Sequence, residues 1–322
     1  MQITINDKTI EVQGQDTLLE IARHEGFEIP SLCWSKDAKH KSSCMLCAVK
    51  DMSRGQIIPS CTSKPVEGMQ IDTQSEEVMQ VRTMSLELLL SDHRADCEAP
   101  CSLVCPAKLD IERMLDYYDK GQKEKAVGLI KHAFDLPKLA CEDCKAPCEK
   151  ACRRGNIDAP VSIRKLIKEL TDEMDAAVVD EVENVAIDKK LFQSRLGRFS
   201  DSEKIRLKET VSTPSNCLHC ACTGRSDCQL RTHATAHKIK RPGYDMSSEL
   251  QVMSKTKVND IMYFEPSKCI RCGLCVYNSD NGFTFKDRGF GMEVILPEEN
   301  KKNIRVELAS LCPTGALYIV EN

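Results

Sequence analysis

Aromatic residues are scarce in this 322-residue chain: one tryptophan, six tyrosines and eight phenylalanines, 5% of the sequence. Only 41% of the residues are apolar. One large core is therefore a poor expectation, and small modules held by something besides hydrophobic burial fit better. No run of 18 or more apolar residues occurs, so no membrane-spanning helix is expected. The opening MQITINDKTIEV has neither the basic nor the apolar stretch of a secretory leader and reads as a strand, which makes the cytoplasm the expected location. The net charge is −4 and no long basic run exists, which argues against nucleic acid as a partner. A G-x-G-x-x-G turn is missing, and no Ser/His/Asp or Cys/His nucleophile arrangement stands apart from the cysteine groups. No site for flavin, pyridine nucleotide or substrate chemistry is expected in this chain.

Cysteine is what the chain has in excess, with 19 residues in five groups. They are Cys33, Cys44, Cys47, Cys61; Cys97, Cys101, Cys105; Cys141, Cys144, Cys148, Cys152; Cys217, Cys220, Cys222, Cys228; and Cys269, Cys272, Cys275, Cys312. A reducing compartment keeps thiols unpaired, so this density predicts metal or iron–sulfur clusters rather than disulfides. The odd total implies that one group lacks an ordinary set of four.

Spacing separates the groups. Cys33-x10-Cys44-x2-Cys47-x13-Cys61 has the close central pair and distant fourth ligand of a plant-type [2Fe–2S] site, with a longer first gap. Zinc is the alternative, but the usual short paired knuckles are missing. CIRCGLC at 269–275 is the first three-quarters of the bacterial run C-x2-C-x2-C-x3-C-P. Ser279 stands where its fourth cysteine would, and Cys312-Pro313 supplies the distant ligand. Cys269, Cys272, Cys275 and Cys312 thus predict one [4Fe–4S] cluster whose twin is lost. CLHCACTGRSDC packs Cys217, Cys220, Cys222 and Cys228 into twelve residues, which predicts a metal site. A [4Fe–4S] cluster or zinc suits it, with His219 and His233 as substitute ligands.

Residues 1–12 alternate as a strand pair around Asn6-Asp7, and TLLEIARHEG follows as a short helix capped near Asp16. Hairpin, helix and cysteine-bearing loop is the order of a β-grasp ferredoxin. LDIERMLDYYDKG begins a helix at Asp110 with Ile111, Met114, Leu115 and Tyr118 on one stripe. QKEKAVGLIKHAF continues the pattern through Ala126, Leu129, Ile130 and Ala133. VSIRKLIKELTDEM places Ile163, Leu166, Ile167, Leu170 and Met174 on one face of a third helix. Residues 175–215 read as a long surface connection.

Three resemblances follow from these motifs. The first group, with IPSLCW, IIPSCTSKPVEGM and LELLLSDHRADC, resembles the N-terminal domain of the complex I large iron–sulfur subunit and of iron-only hydrogenases over residues 1–97. CSLVCPAKLDIERMLDYYDKG with CKAPCEKACRRGNIDAPVSI is similar, over 97–170, to the N-terminal domain of the glutamate synthase small subunit, which dihydropyrimidine dehydrogenase also carries. Residues 262–322 resemble a bacterial ferredoxin. The second resemblance implies two [4Fe–4S] clusters with interleaved ligands. One would take Cys105, Cys141, Cys144 and Cys148; the other Cys97, Cys101 and Cys152, one ligand short. The complex I subunit uses a histidine four residues before a cysteine as an iron ligand, which implies His93 for the vacancy. Nineteen cysteines and one histidine then make five sets of four.

The expected fold is α+β and multi-module. It comprises a β-grasp [2Fe–2S] ferredoxin-like domain over 1–90, a helical two-cluster domain over 91–175 and a connecting segment over 176–215. A Cys-rich metal module over 216–260 and a bacterial-ferredoxin-like, single-cluster domain over 261–322 complete it. The expected function is that of an electron-transfer subunit, not itself a catalyst, with one [2Fe–2S] and three or four [4Fe–4S] clusters. It would relay single electrons between a flavin- and NAD(P)H-binding subunit and a second redox subunit, substrate-binding subunit or ferredoxin. A scaffold or sensor stabilised by clusters, and a self-contained small-molecule reductase, are the alternatives.

Overall fold

The opening hairpin closes at Asn6, whose φ of 52° is a left-handed conformation that asparagine tolerates better than most residues. Strands β1 (Gln2–Ile5) and β2 (Lys8–Glu11) pair antiparallel with Ile3 opposite Ile10, so alternate isoleucines share the buried face. The computed structural model describes residues 1–93, 95–137, 140–173, 190–193, 213–222, 227–239 and 255–320, which fall into two compact units. One unit holds the described residues within 1–93, 227–239 and 255–320. The other holds those within 95–173, 190–193 and 213–222.

In the first unit, β3 (Ala48–Asp51), β4 (Gln56–Pro59) and β5 (Gln70–Asp72) extend the hairpin to a five-stranded sheet. Its order is β2-β1-β5-β3-β4, with β1 and β5 parallel. Helix Leu18–His24 buries Leu18, Leu19 and Ile21 in the same core. Its cap is Thr17, next to Asp16 where the cap was expected. Thr17 Oγ1 accepts the Glu20 N–H at 3.4 Å and Glu20 Oε2 accepts the Thr17 N–H at 2.7 Å, a reciprocal pair that Asp16, one residue upstream, does not make. Helix Glu76–Asp92 is tied to β3 by buried Arg82, which donates to the Ala48 carbonyl at 3.1 and 2.8 Å.

The later part of this unit is built from short strands: β6 (Thr256–Lys257), β7 (Met262–Phe264), β8 (Thr284–Lys286), β9 (Glu293–Ile295) and β10 (Leu317–Ile319). β10, β7 and β6 form one antiparallel sheet, β8 and β9 a ribbon. Met262, Phe264, Phe283, Val294, Leu308 and Leu317 fill its core.

The second unit is helical. Asp110 caps helix Ile111–Asp119 by accepting the Arg113 N–H at 3.4 Å, and Ser102 Oγ accepts the Ile111 N–H at 2.9 Å. Gly121, at φ 73°, turns the chain into helix Lys123–Ala133. The third helix, Ile163–Asp172, packs on the second, and Glu149 Oε1 accepts the Arg164 N–H at its start at 2.9 Å. Met114, Leu115, Ile130, Leu166, Ile167 and Leu170 are almost wholly buried, with Tyr118 and Ala133 half-buried at the edge. The expected stripes therefore meet one another. Met174, and the connecting segment apart from 190–193 and 213–215, lie outside the described residues. The stretch expected as one Cys-rich module contributes 216–222 to the helical unit and 227–239 with 255–260 to the other.

Candidate metal centres

The loops around β3 bring the first cysteine group together. Cys33, Cys44, Cys47 and Cys61 are all buried, and the sulfur of Cys33 contacts those of Cys44 and Cys61, while Cys61 also contacts Cys47. These contacts hold the Cys33 thiol far below its ordinary pKa and push that of Cys61 far above it. The Ser43 N–H points at Cys33 Sγ at 3.5 Å, and Ser60 Oγ donates to the Cys47 carbonyl at 2.7 Å. Burial lowers the pKa of Arg23 and Arg82, and the Cys47 charge works against that in both. Four soft sulfurs in a dry loop, with N–H donors and two guanidinium charges near, fit an anionic two-iron cluster.

Cys269, Cys272, Cys275 and Cys312 sit together in the ferredoxin-like part. Burial, the largest cause, pushes up the thiol pKa values of Cys269, Cys272 and Cys275, and the neighbouring thiols add to it. Arg271 takes φ 55°, which aims its N–H at Cys269 Sγ at 3.3 Å, and the Leu317 N–H points at Cys312 Sγ at 3.4 Å. Gly273 has φ 81°, and a Cβ there would lie 2.6 Å from the Tyr277 ring. Ser279 Oγ accepts the Phe283 N–H at 2.9 Å, so the residue in the missing cysteine's place serves the fold. The donor set fits a four-iron cluster.

These two sets are neighbours within one unit. Cys272 feels the charge of Cys33. Asn278 locks their loops by accepting the Lys39 N–H at 2.9 Å and donating to the Lys39 carbonyl at 2.8 Å. Ser43, Cys44, Arg271 and Cys272 line a common cavity.

His93 closes helix Glu76–Asp92, is 5% exposed, and lies beside Lys268. Burial, aided by the Lys268 charge, lowers its pKa to about 4, so the imidazole is neutral at pH 7. In the same unit Cys228 precedes helix Gln229–Ala236, where burial lowers the pKa of His233, whose ring is bonded to the Ser31 backbone.

In the helical unit two short helices, Pro100–Val104 and Pro147–Ala151, pack against each other. Each lies in the same phrase, C-x-A-P-C-x3-C, at 97–105 and again at 144–152. Cys105 and Cys148 are thus brought beside Cys141, which also feels Cys144; burial pushes Cys148 up to about 12 and Cys141 to about 11. Cys101 and Cys152 meet a different pair. Together with Cys217 and Cys220 they line one cavity, which Cys97 and Cys222 do not. The Cys97 carbonyl instead accepts the Cys222 N–H at 3.2 Å. His219, expected from the sequence as a substitute ligand, places Nδ1 3.0 Å from Glu112 Oε1. Sequence reasoning thus missed the meeting of Cys217 and Cys220 with Cys101 and Cys152. The pairing of Cys101 with Cys152 was already implied by the resemblance; no spacing signal joins them to Cys217 and Cys220, which lie more than sixty residues further on.

Among the described residues no helix is long and apolar enough to cross a membrane. Three family models match the chain: a 2Fe-2S iron–sulfur cluster binding domain at 1–76, the dihydropyrimidine dehydrogenase domain II 4Fe-4S cluster family at 73–178, and a 4Fe-4S single cluster domain at 262–319. The alpha subunit of an NADPH-Fe(3+) oxidoreductase from Geobacter sulfurreducens is 25% identical over 77% of this chain and 29% of its own. A subunit of the NADH-quinone oxidoreductase of Rhizobium meliloti is 30% identical over 47% of this chain and 19% of its own. The HndD subunit of the NADP-reducing hydrogenase of Solidesulfovibrio fructosivorans is 30% identical over 46% and 27%. The chain spans less than a third of the length of these relatives. A chain of the NAD+-reducing [NiFe]-hydrogenase, solved in the H2-reduced state, shares its fold with a TM-score of 0.52 at 17% identity, covering 99% of this chain and 86% of that one. The protein is therefore an iron–sulfur protein of three successive domains, a [2Fe–2S] domain, a helical 4Fe-4S domain and a single-cluster 4Fe-4S domain, homologous to subunits of NADH- and NADPH-linked oxidoreductases and hydrogenases.

Proposed function

We propose that this chain is the electron-relay subunit of an NAD(P)H-linked oxidoreductase, passing single electrons between a flavin-binding partner and a second redox subunit or ferredoxin. The observation that carries this is the pairing of the first and last cysteine sets. Cys44 and Cys272 come from distant parts of the sequence, yet they line one cavity within one compact unit. A scaffold needs each set to staple its own module; it does not need two of them side by side. Bound clusters supply one-electron chemistry, and the protein sets their potentials through ligand type, N–H···S bonds and burial. Here Cys33, Cys44, Cys47 and Cys61 would hold the [2Fe–2S] cluster, and Cys269, Cys272, Cys275 and Cys312 one [4Fe–4S] cluster. Cys105, Cys141, Cys144 and Cys148 would hold another. The Lys39–Asn278 hydrogen bonds keep the first two at a fixed separation.

The test is EPR of the purified, iron-loaded chain during a reductive titration. The expected result is a [2Fe–2S] signal that broadens and relaxes faster as the C-terminal cluster is reduced. A second expectation is that NADH or NADPH reduces the chain only when a flavoprotein is added. Two magnetically isolated centres, or direct reduction by either nucleotide, would overturn the reading.

A further inference from the structure

We propose that Cys101, Cys152, Cys217 and Cys220 are the four ligands of a single [4Fe–4S] cluster, drawing on two cysteine groups that lie far apart in the chain. The proposal rests on the iron–sulfur reading of the helical unit and changes which residues complete its ligand set. The four thiols line the same cavity, and Cys220 senses the charges of both Cys217 and Cys152.

Three independent anchors seat the Cys217–Cys220 knuckle there. Arg154, 2% exposed and two residues past Cys152, holds Asp158 in a bidentate pair at 3.0 and 2.8 Å. Its Nη1 donates at 2.8 Å to the carbonyl of Asn216, the residue before Cys217. On the other side of the knuckle, His219 meets Glu112 on helix Ile111–Asp119. The turn Pro214–Asn216 packs on the same helix.

The knuckle is also built like one made for a cluster. His219 has φ 46° and its N–H points at Cys217 Sγ at 3.4 Å. In CIRC of the ferredoxin-like part, Arg271 has φ 55° and its N–H points at Cys269 Sγ at 3.3 Å. A non-glycine residue takes such a φ at a cost. In both places the same strained residue delivers an N–H to the first sulfur of a C-x2-C pair. Such bonds stabilise thiolate charge. Arg153 adds a positive charge beside Cys220 while its guanidinium is held by Asp96 at 2.9 and 3.1 Å.

Four thiolates must converge to about 2.3 Å from one zinc, whereas a four-iron cage is held by ligands that surround it, and these four thiols surround a cavity. Cys97 does not line this cavity, and the alanines of the two repeated phrases differ in backbone conformation. Ala146 is left-handed at φ 50°, but Ala99 is extended at φ −59° and ψ 130°. The chain enters the two helices by different routes, so Cys97 does not take the place that Cys144 has in its own set.

The test is an iron count on the full-length, reconstituted chain with Cys101→Ala, Cys217→Ala and the double variant. If the two thiols share a cluster, each single variant and the double all lose about four iron atoms per chain. Loss of about eight in the double would assign the two thiols to separate clusters and overturn the proposal. Thiol alkylation of the unmodified protein during stepwise iron chelation gives a second readout that needs no mutant to fold. Cys101, Cys152, Cys217 and Cys220 should become reactive in the same step, with Cys97 in a different one. Stoichiometric zinc protecting these four would also overturn it. Iron absent from the unmodified chain would instead defeat the iron–sulfur reading itself.

Discussion

Thr17 and Glu20 show how much one residue pair decides at an element's edge. Their reciprocal hydrogen bonds satisfy two N–H groups at the start of helix Leu18–His24. Thr17→Ala should cost about 1 kcal/mol in denaturant unfolding. The backbone and side-chain hydrogen bonds from Thr17 lower the pKa of Glu20. Its contribution is therefore present above the unfolded carboxylate value of about 4.3 and is lost as pH falls through the lower folded value. Melting curves of Glu20→Gln should accordingly fall less steeply than those of the parent below about pH 4.5. Gly273 is a harder constraint, because its φ of 81° and the Tyr277 ring both oppose a side chain. Gly273→Ala should destabilise by about 1–3 kcal/mol and lower the iron bound at Cys269–Cys312. A variant with full iron and unchanged unfolding would show that the loop adapts.

At the scale of elements, helices and knuckles obey different rules. The helix Ile163–Asp172 was legible because Ile163, Leu166, Ile167 and Leu170 recur at helical spacing, and all four are 1% exposed. Burial of that face is its main support, so Leu166→Ala should cost about 2–5 kcal/mol in chemical denaturation. The knuckle at Arg271 depends on backbone shape instead. Arg271→Gly should keep the C-terminal iron, because glycine enters the left-handed region freely. Arg271→Val should lose a large part of it, since a β-branched residue resists that φ. Equal iron in the two variants would argue against any role for the N–H···S bond. The pattern of polar residues before a helix locates its end only to a residue or so, and the cap expected near Asp16 is Thr17. Which side chain turns back to the N–H groups is settled by local geometry.

For the whole molecule, modest cores and many loops leave metal a large share of the stability. Binding that orders a site is also folding free energy. Stripping iron with a chelator should lower the melting temperature by roughly 10 °C or more, several kcal/mol at about 2–4 °C each. Thermal curves that coincide with and without iron would show that the cores suffice alone.

The sequence by itself determined the elements and the local cysteine sets. Alternation in residues 1–12, the helical stripes, and C-x2-C spacings are all properties of a few adjacent residues, and short chain segments obey them wherever they sit. The closely spaced cysteines of the first and last groups stood out for that reason, whereas the partnerships of Cys105 with Cys148 and of Cys101 with Cys152 were implied by a resemblance. Only the tertiary structure decided that Cys33 lies near Cys272, and that Cys217 and Cys220 face Cys101 and Cys152. Those meetings depend on Asn278 gripping Lys39, Arg154 gripping the Asn216 carbonyl and Glu112 meeting His219. Each is a contact between distant segments, and spacing along a chain carries no information about where a long connection brings its two ends.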